Sequence, residues 1–364
     1  MKIISLIPGC RILFQLHWRR TPIHLIALQL FLFLLSSCTS TERKNARTIE
    51  PTFYYWKSVF HLSAFEIRKL DTLHVKTIYT KYFDIDWDMG TRQPLPRAVI
   101  RFSDTSFSAY TILPVVFITN ECLQQMDSSY IPVLADKMTR LIRQVNTGNH
   151  IPSPQEIQVD CDWTATTKDK YFSLLNQLKG LEPSILFSAT IRMHQVKYSG
   201  KSGIPPVNRG LLMCYNMGNL RNPATRNSIL DPTELEKYTQ QLSGYPLELD
   251  LAFPLFEWKV LFRDGVYRGI IEELPDSLLN NPLVQNKANF YTFQEDCRID
   301  HYDFKKGDIL RKEISDHRDI LESLALIGRK LKMKHLRVSL YHLDSVLLSK
   351  IPTNELETIY QYLR

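Results

Sequence analysis

Short apolar runs rich in β-branched and aromatic residues recur along the chain, with amphipathic stretches between them. Eight of these runs read as strands, at residues 53–58, 74–83, 115–119, 157–162, 185–192, 210–215, 247–255 and 336–341. Apolar positions at helical spacing follow several of them, at 63–73, 129–145, 167–178, 232–242 and 315–332. Strand–helix alternation predicts a parallel sheet. Eight strands predict closure into an α/β, (β/α)₈ TIM-type barrel over residues 53–364, with an open doubly wound sheet as the alternative. The pattern is irregular in two places. Between strands 2 and 3 no helix is evident, and the stretch 93–107 carries prolines and a β-like run at 98–102. Between strands 7 and 8 lie about eighty residues, too many for one loop and helix, which predicts a small α+β insertion near 260–312. Runs at 290–293 and 307–313 are candidates for a small sheet there.

The fourth strand carries the most chemistry. Ile157-Gln158-Val159-Asp160-Cys161-Asp162-Trp163-Thr164 delivers Asp160 and Asp162 to one face, and alternation puts Thr164 there too. Two acids on an otherwise apolar strand are costly unless they hold a ligand or an internal cation. Arg192 or Lys81 could serve as that cation. In a barrel this strand end faces the mouth, where the long, turn-rich segments 198–208 and 216–231 also begin.

The N-terminus bears on location. Arg19 and Arg20 precede an apolar run from Ile23 to Leu35, then Ser36-Ser37-Cys38. A basic flank, a short apolar core and small residues before a cut predict a secretory signal over residues 1–37, and the run is short for a retained membrane span. Leu35-Ser36-Ser37-Cys38 resembles the lipobox of bacterial lipoproteins, which implies a lipid anchor on Cys38 and a flexible tether over 38–52. Thr39 stands where an inner-membrane retention aspartate would, and no acidic export run follows. The expected location is therefore the periplasmic face of the outer membrane.

Without its signal the chain loses Lys2, Arg11, Arg19 and Arg20, and its formal charge falls from +7 to +3. The remaining basic residues are scattered among acids, which gives nucleic acid no concentrated basic face to bind. Cys122, Cys161, Cys214 and Cys297 lack metal-ligand spacing and read as free thiols. No cofactor motif is present: no phosphate-cradling glycine loop, nucleophile elbow or close His/Cys cluster.

Asp160-Cys161-Asp162-Trp163-Thr164 resembles the Asp-x-Asp-x-Glu motif on the fourth strand of chitinase-like, family 18 glycoside hydrolases. Met213-Cys214-Tyr215-Asn216 resembles that family's sixth-strand Met-x-Tyr-Asp, and Leu251 to Trp258 its seventh strand. The segment after strand 7 falls where many of those enzymes carry an insertion. The chain is also similar to bacterial lipoproteins with barrels of this kind, a likeness that carries no activity. In the resembled enzymes the motif Glu is the general acid, and the aspartate before it positions the substrate's acetamido group. Here Thr164 has no proton that titrates near neutrality and Asn216 replaces an acid, so family-type hydrolysis is not expected.

The resemblance instead implies a glycan or glycan-derived ligand. Asp160, Asp162, Tyr215 and Asn216 would supply hydrogen bonds, and Trp163 and Trp258 stacking surfaces. Trp56, Trp87, Trp163 and Trp258 all fall near strand ends, where they either face a sugar or cap the barrel core. Lys57, Tyr341 and His342 belong to the same rim.

Other residues offer alternatives. Glu121 closes strand 3 after Asn120 and could be a catalytic acid opposite Asp162, or simply a helix-start acid. Asp84, Asp86 and Asp88 have the look of a calcium loop, but Met89 stands where such a loop needs glycine, so acids of a mouth loop suffice. His194 and Gln195, at the end of strand 5, could bond a ligand or be satisfied internally. Three functions remain open: a glycan-binding lipoprotein, an active glycosidase using a non-standard acid such as Glu121, and an envelope scaffold built on a barrel.

Overall fold

The computed structural model describes residues 47–364. The signal, the Cys38 anchor and most of the tether lie outside the described residues. Eight parallel strands close into a barrel: β1 Thr48–Tyr55, β2 Thr77–Asp88, β3 Thr111–Ile118, β4 Glu156–Cys161, β5 Leu186–Arg192, β6 Arg209–Met213, β7 Leu249–Pro254 and β8 His335–Tyr341. Each pairs in parallel with its neighbours, and β1 closes the ring by pairing with both β8 and β2. The open doubly wound alternative is thereby excluded. β1 starts at Thr48, so residues read as the end of a tether are part of the wall; Ile49 and Thr52 are buried in it.

Helices cover the outside: α1 Ala64–Thr72, α2 Ile131–Gly148, α3 Lys168–Leu181, α4 His317–Gly328 and α5 Thr353–Gln361. α1 begins with a capping box in which Ser63 and Glu66 satisfy each other's backbone N–H groups. α2 buries Leu134, Met138, Ile142 and Val145, a stripe at helical spacing. The expected helix at 232–242 is reduced to Pro232–Glu236 followed by a 3₁₀ turn at Leu242–Gly244. Among the described residues no helix is long and apolar enough to cross a membrane.

The irregular connection after β2 has a specific form. β2 runs past the barrel to Asp88 and doubles back as an antiparallel strand, Gln93–Arg97. Asp84, Asp86 and Asp88 are therefore strand residues and not loop acids. The insertion after β7 is a five-stranded antiparallel sheet, in the order Val266–Ile271, Glu257–Arg263, Ile309–Ile314, Phe290–Phe293 and Val284–Lys287. It has its own apolar core, in which Phe293 stacks on Phe304 with centroids 4.0 Å apart.

Inside the barrel, alternation sends Glu156, Gln158 and Asp160 of β4 to one face. The end where the strands start is closed by ions. Arg337 bonds Glu156 at 2.6 Å and Glu50 at 3.3 Å, and its backbone N–H donates to Asp250 at 2.8 Å. Above that layer Tyr54 stacks on Tyr79 at 4.9 Å and donates its hydroxyl proton to Gln158. The barrel is thus plugged at its base and middle and opens toward the carboxyl ends of its strands.

Candidate functional site

A cleft of about 1120 Å³ opens at the carboxyl ends of the strands. Its floor carries Asp160, the last inward residue of β4, and Thr190 of β5, whose hydroxyl donates to the Asp160 carboxylate. Asp160 is only 5% exposed. Burial raises its pKa from 3.8 to about 6. Arg192 and the Thr190 hydrogen bond oppose the rise, and the nearby Asp162 and Asp84 charges add to it.

Arg192, at the end of β5, reaches across to Asp162 in a two-pronged ion pair, with Nη2 donating to Oδ2 at 2.8 Å and Nε to Oδ1. Burial pulls the Arg192 pKa down, but its bond to Asp162 outweighs this and leaves it raised, so the guanidinium stays charged. The sequence named Arg192 and Lys81 as partners for the acid pair. Arg192 holds Asp162, while Lys81 holds Asp84 at 3.0 Å and lies 5.4 Å from the Trp56 ring centre.

Aromatic rings form the walls. Tyr215 stacks on Tyr341 with centroids 5.8 Å apart, Phe256 lies edge-on to both, and Trp258 packs against Phe256 at 5.2 Å. Trp258 is held from behind: its Nε1 donates to Glu313 at 2.7 Å, and Glu313 is paired with the fully buried Arg311. Arg311 also donates to the carbonyls of Asn222 and Pro223, at 2.7 and 3.1 Å. The inserted sheet and the loop after β6 thus fix one wall together. Asn216 follows with a φ of 56°, in the left-handed region that asparagine tolerates better than most residues. Two residues on, a Cβ at Gly218 would lie 2.7 Å from the Ser228 backbone, so this loop packs too closely for a side chain there.

Of the six residues expected at a ligand, Asp160, Asp162, Tyr215, Asn216 and Trp258 line the cleft. Trp163 does not. β4 ends at Cys161, and the chain turns so that the Trp163 ring is buried against Tyr171 and its Nε1 donates to the Ser202 carbonyl at 2.9 Å. The same turn takes Thr164 off the face of the two acids; it is exposed and bonded to Thr166 and Thr167.

Glu121 is also corrected. It sits exposed in the first turn of the short helix Asn120–Gln125 and does not line the cleft. Trp56 lines the cleft, whereas Trp87 does not. Gln195 is buried and bonded to the Trp163 carbonyl and the Arg192 N–H, while His194 lies outside the cleft. Sequence reasoning missed Glu272 and Glu273, exposed residues that follow the inserted strand Val266–Ile271 and line the cleft from above. Among the described residues no group of three or more His, Cys, Asp or Glu side chains has metal-binding geometry. Cys122, Cys161, Cys214 and Cys297 are free thiols.

The closed parallel ring, the plugged base and the cleft at the strand ends define a (β/α)₈ barrel. The spore cortex-lytic enzyme SleL of Bacillus cereus superimposes with a TM-score of 0.53 at 13% identity, over 88% of this chain and 75% of that one. A chitinase from Chromobacterium violaceum matches at a TM-score of 0.49 and 9% identity, over 83% and 97% of the two chains. A fungal endo-beta-N-acetylglucosaminidase from glycosyl hydrolase family 18 matches at 0.43 and 10%, over 86% and 98%. No protein-family model matches the chain, and no curated protein does. The likeness is therefore one of fold.

Proposed function

We propose that this chain is an exported, lipid-anchored barrel protein whose cleft binds a glycan and does not hydrolyse it by the chitinase-like route. One observation carries the reading: an open cleft of about 1120 Å³ walled by Tyr215, Phe256, Trp258 and Tyr341 above the buried carboxylate of Asp160. Aromatic faces suit the apolar faces of sugar rings, and Asp160, Asp162 and Arg192 suit their hydroxyl edges. A barrel serving only as a scaffold has no need of an open, aromatic-walled mouth. The general-acid position of the resembled motif is Thr164, which neither titrates near neutrality nor lines the cleft. Anchorage at Cys38 and residence on the periplasmic face of the outer membrane belong to the same proposal and are supported by the sequence.

The test is a glycan panel assayed for binding and for release of products, using residues 39–364. Binding to at least one glycan is expected. Failure of the wild type to bind any glycan overturns the reading, and binding that survives Asp160→Ala with Asp162→Ala overturns the site assignment.

A second reading has one observation in its favour. A buried carboxyl with a pKa of about 6 is suited to general-acid work, so Asp160 could serve hydrolysis by another route. Product release by the wild type that Asp160→Asn abolishes would select it.

A further inference from the structure

The charges around the cleft do not cancel, and the imbalance has a definite location. Four basic side chains line it, and each is already held by an acid that also lines it. Lys57 bonds Asp344 at 2.7 Å, Lys81 bonds Asp84 at 3.0 Å, Arg192 bonds Asp162 at 2.8 Å and Lys350 bonds Glu257 at 2.5 Å. Three further acids line the cleft without an ion-pair partner among the described residues: Asp160 on the floor, and Glu272 and Glu273 on the rim. His342 adds no balancing charge near neutrality, because burial lowers its pKa below the ordinary value. An acidic mouth stands out on a chain whose formal charge is +3 once Lys2, Arg11, Arg19 and Arg20 leave with the signal.

A second observation points to a ligand independently. Tyr215, only 4% exposed, lines the cleft, and its buried hydroxyl has no hydrogen-bond partner among the described residues. Asp84, on the opposite wall, likewise keeps one carboxylate oxygen without a partner among the described residues while Lys81 holds the other. Buried polar atoms left unpaired are costly, and a ligand bearing donors and acceptors would satisfy both.

On the glycan reading above, we infer that the cleft takes a saccharide bearing free amino groups, a cationic amino sugar and not its neutral N-acetylated form. The rings of Tyr215, Tyr341 and Trp258 would take the sugar faces. The ammonium groups would lie toward Glu272, Glu273 and Asp160, in a cleft whose own bases are already occupied. Wall aromatics would add cation–π attraction for the same groups.

The test uses the full chain in detergent and two probes of equal length, a β-1,4-linked glucosamine oligomer and its fully N-acetylated counterpart, titrated near pH 6 at low and high salt. The glucosamine oligomer is expected to bind about tenfold tighter at low salt, with the advantage shrinking at high salt. Glu272→Gln with Glu273→Gln is expected to remove most of that advantage; both side chains are exposed, so folding is not at stake. Equal binding of the two probes, or preference for the acetylated one, overturns the cationic assignment and leaves the glycan reading standing. Binding of neither probe, alongside binding of another neutral glycan in the panel, also overturns it. If no glycan of any kind binds, the glycan reading itself fails. An advantage unchanged in the double variant refutes the role given to the two rim glutamates.

Discussion

Asp160→Asn tests the electrostatics of the cleft floor directly. Asp160 is buried, and its pKa rises from 3.8 to about 6 on folding. Between those two values the folded chain binds a proton that the unfolded chain has released, so stability falls as pH rises through that window. Below about pH 3.8 the carboxyl is protonated in both states and costs nothing. Above about pH 6 it is ionised in both, and burying the charge costs about 3 kcal/mol, from about 2 pKa units at 1.36 kcal/mol each. Asparagine keeps an oxygen to accept the Thr190 hydroxyl and carries no charge, and Arg192 retains Asp162.

The variant should therefore match the wild type near pH 4 and gain up to about 3 kcal/mol by pH 7, or roughly 4 °C in melting temperature for a domain of this size. Urea unfolding of both proteins across this pH range measures the difference. Asp250, at the other end of the barrel, is also raised, to about 7, by burial. It titrates equally in both proteins, so its contribution cancels. A difference that stays constant with pH, or that grows toward low pH, would refute the assignment of a strained, buried carboxylate.

Two further pairs of variants separate the walls of the cleft from the barrel core. Trp163→Ala empties a fully packed site and should cost about 3–5 kcal/mol in urea unfolding, whereas Trp258→Ala should cost less and instead weaken glycan binding measured by calorimetry. Arg311→Met leaves Glu313 charged and buried and should cost about 3–5 kcal/mol; adding Glu313→Leu should recover much of that in stability while loosening Trp258, read as a change in its fluorescence.

The barrel was legible because strands with buried inward and outward faces leave an apolar signature. Strands 3 to 8 lie within about four residues of where the periodicity puts them, Val159 and Val338 being examples of fully buried wall residues. The first two strands were read less well, each for a local reason. Thr48 to Thr52 look polar in sequence, yet Thr52 is buried and its hydroxyl donates to the Val338 carbonyl on the neighbouring strand. Asp84 to Asp88 alternate acids with Ile85 and Trp87, which is the period of a strand, but the acids drew the reading toward a loop. Thr164 was misplaced because alternation was carried past Cys161, where the strand ends and the period of two no longer applies. Trp163 was set at the ligand by its nearness to a strand end, although the same alternation turns it away from the two acids. Glu272 and Glu273 left no signal. Their place over the cleft is set by how the inserted sheet folds back, a tertiary fact that local pattern does not encode.

The turn after Cys161 also sets what a single substitution can restore. Thr164→Glu rebuilds the letters of the resembled motif, but a glutamate there starts from an exposed turn position whose present side chain bonds Thr166 and Thr167 and does not line the cleft. Exposure to water leaves its carboxyl near the ordinary range, far from the raised pKa a general acid needs at neutral pH. Asp162, whose counterpart in the resembled enzymes positions the acetamido group, is held by both prongs of Arg192 and would have to be released first. Thr164→Glu alone should therefore release no reducing sugar from N-acetylated chito-oligosaccharides above the wild-type background. If that one change produces turnover, the exposed turn at 162–164 is not the geometry in solution, and this chain is a single residue away from an enzyme. If turnover requires Thr164→Glu together with Arg192→Met, the ion pair is what holds the cleft in a binding arrangement.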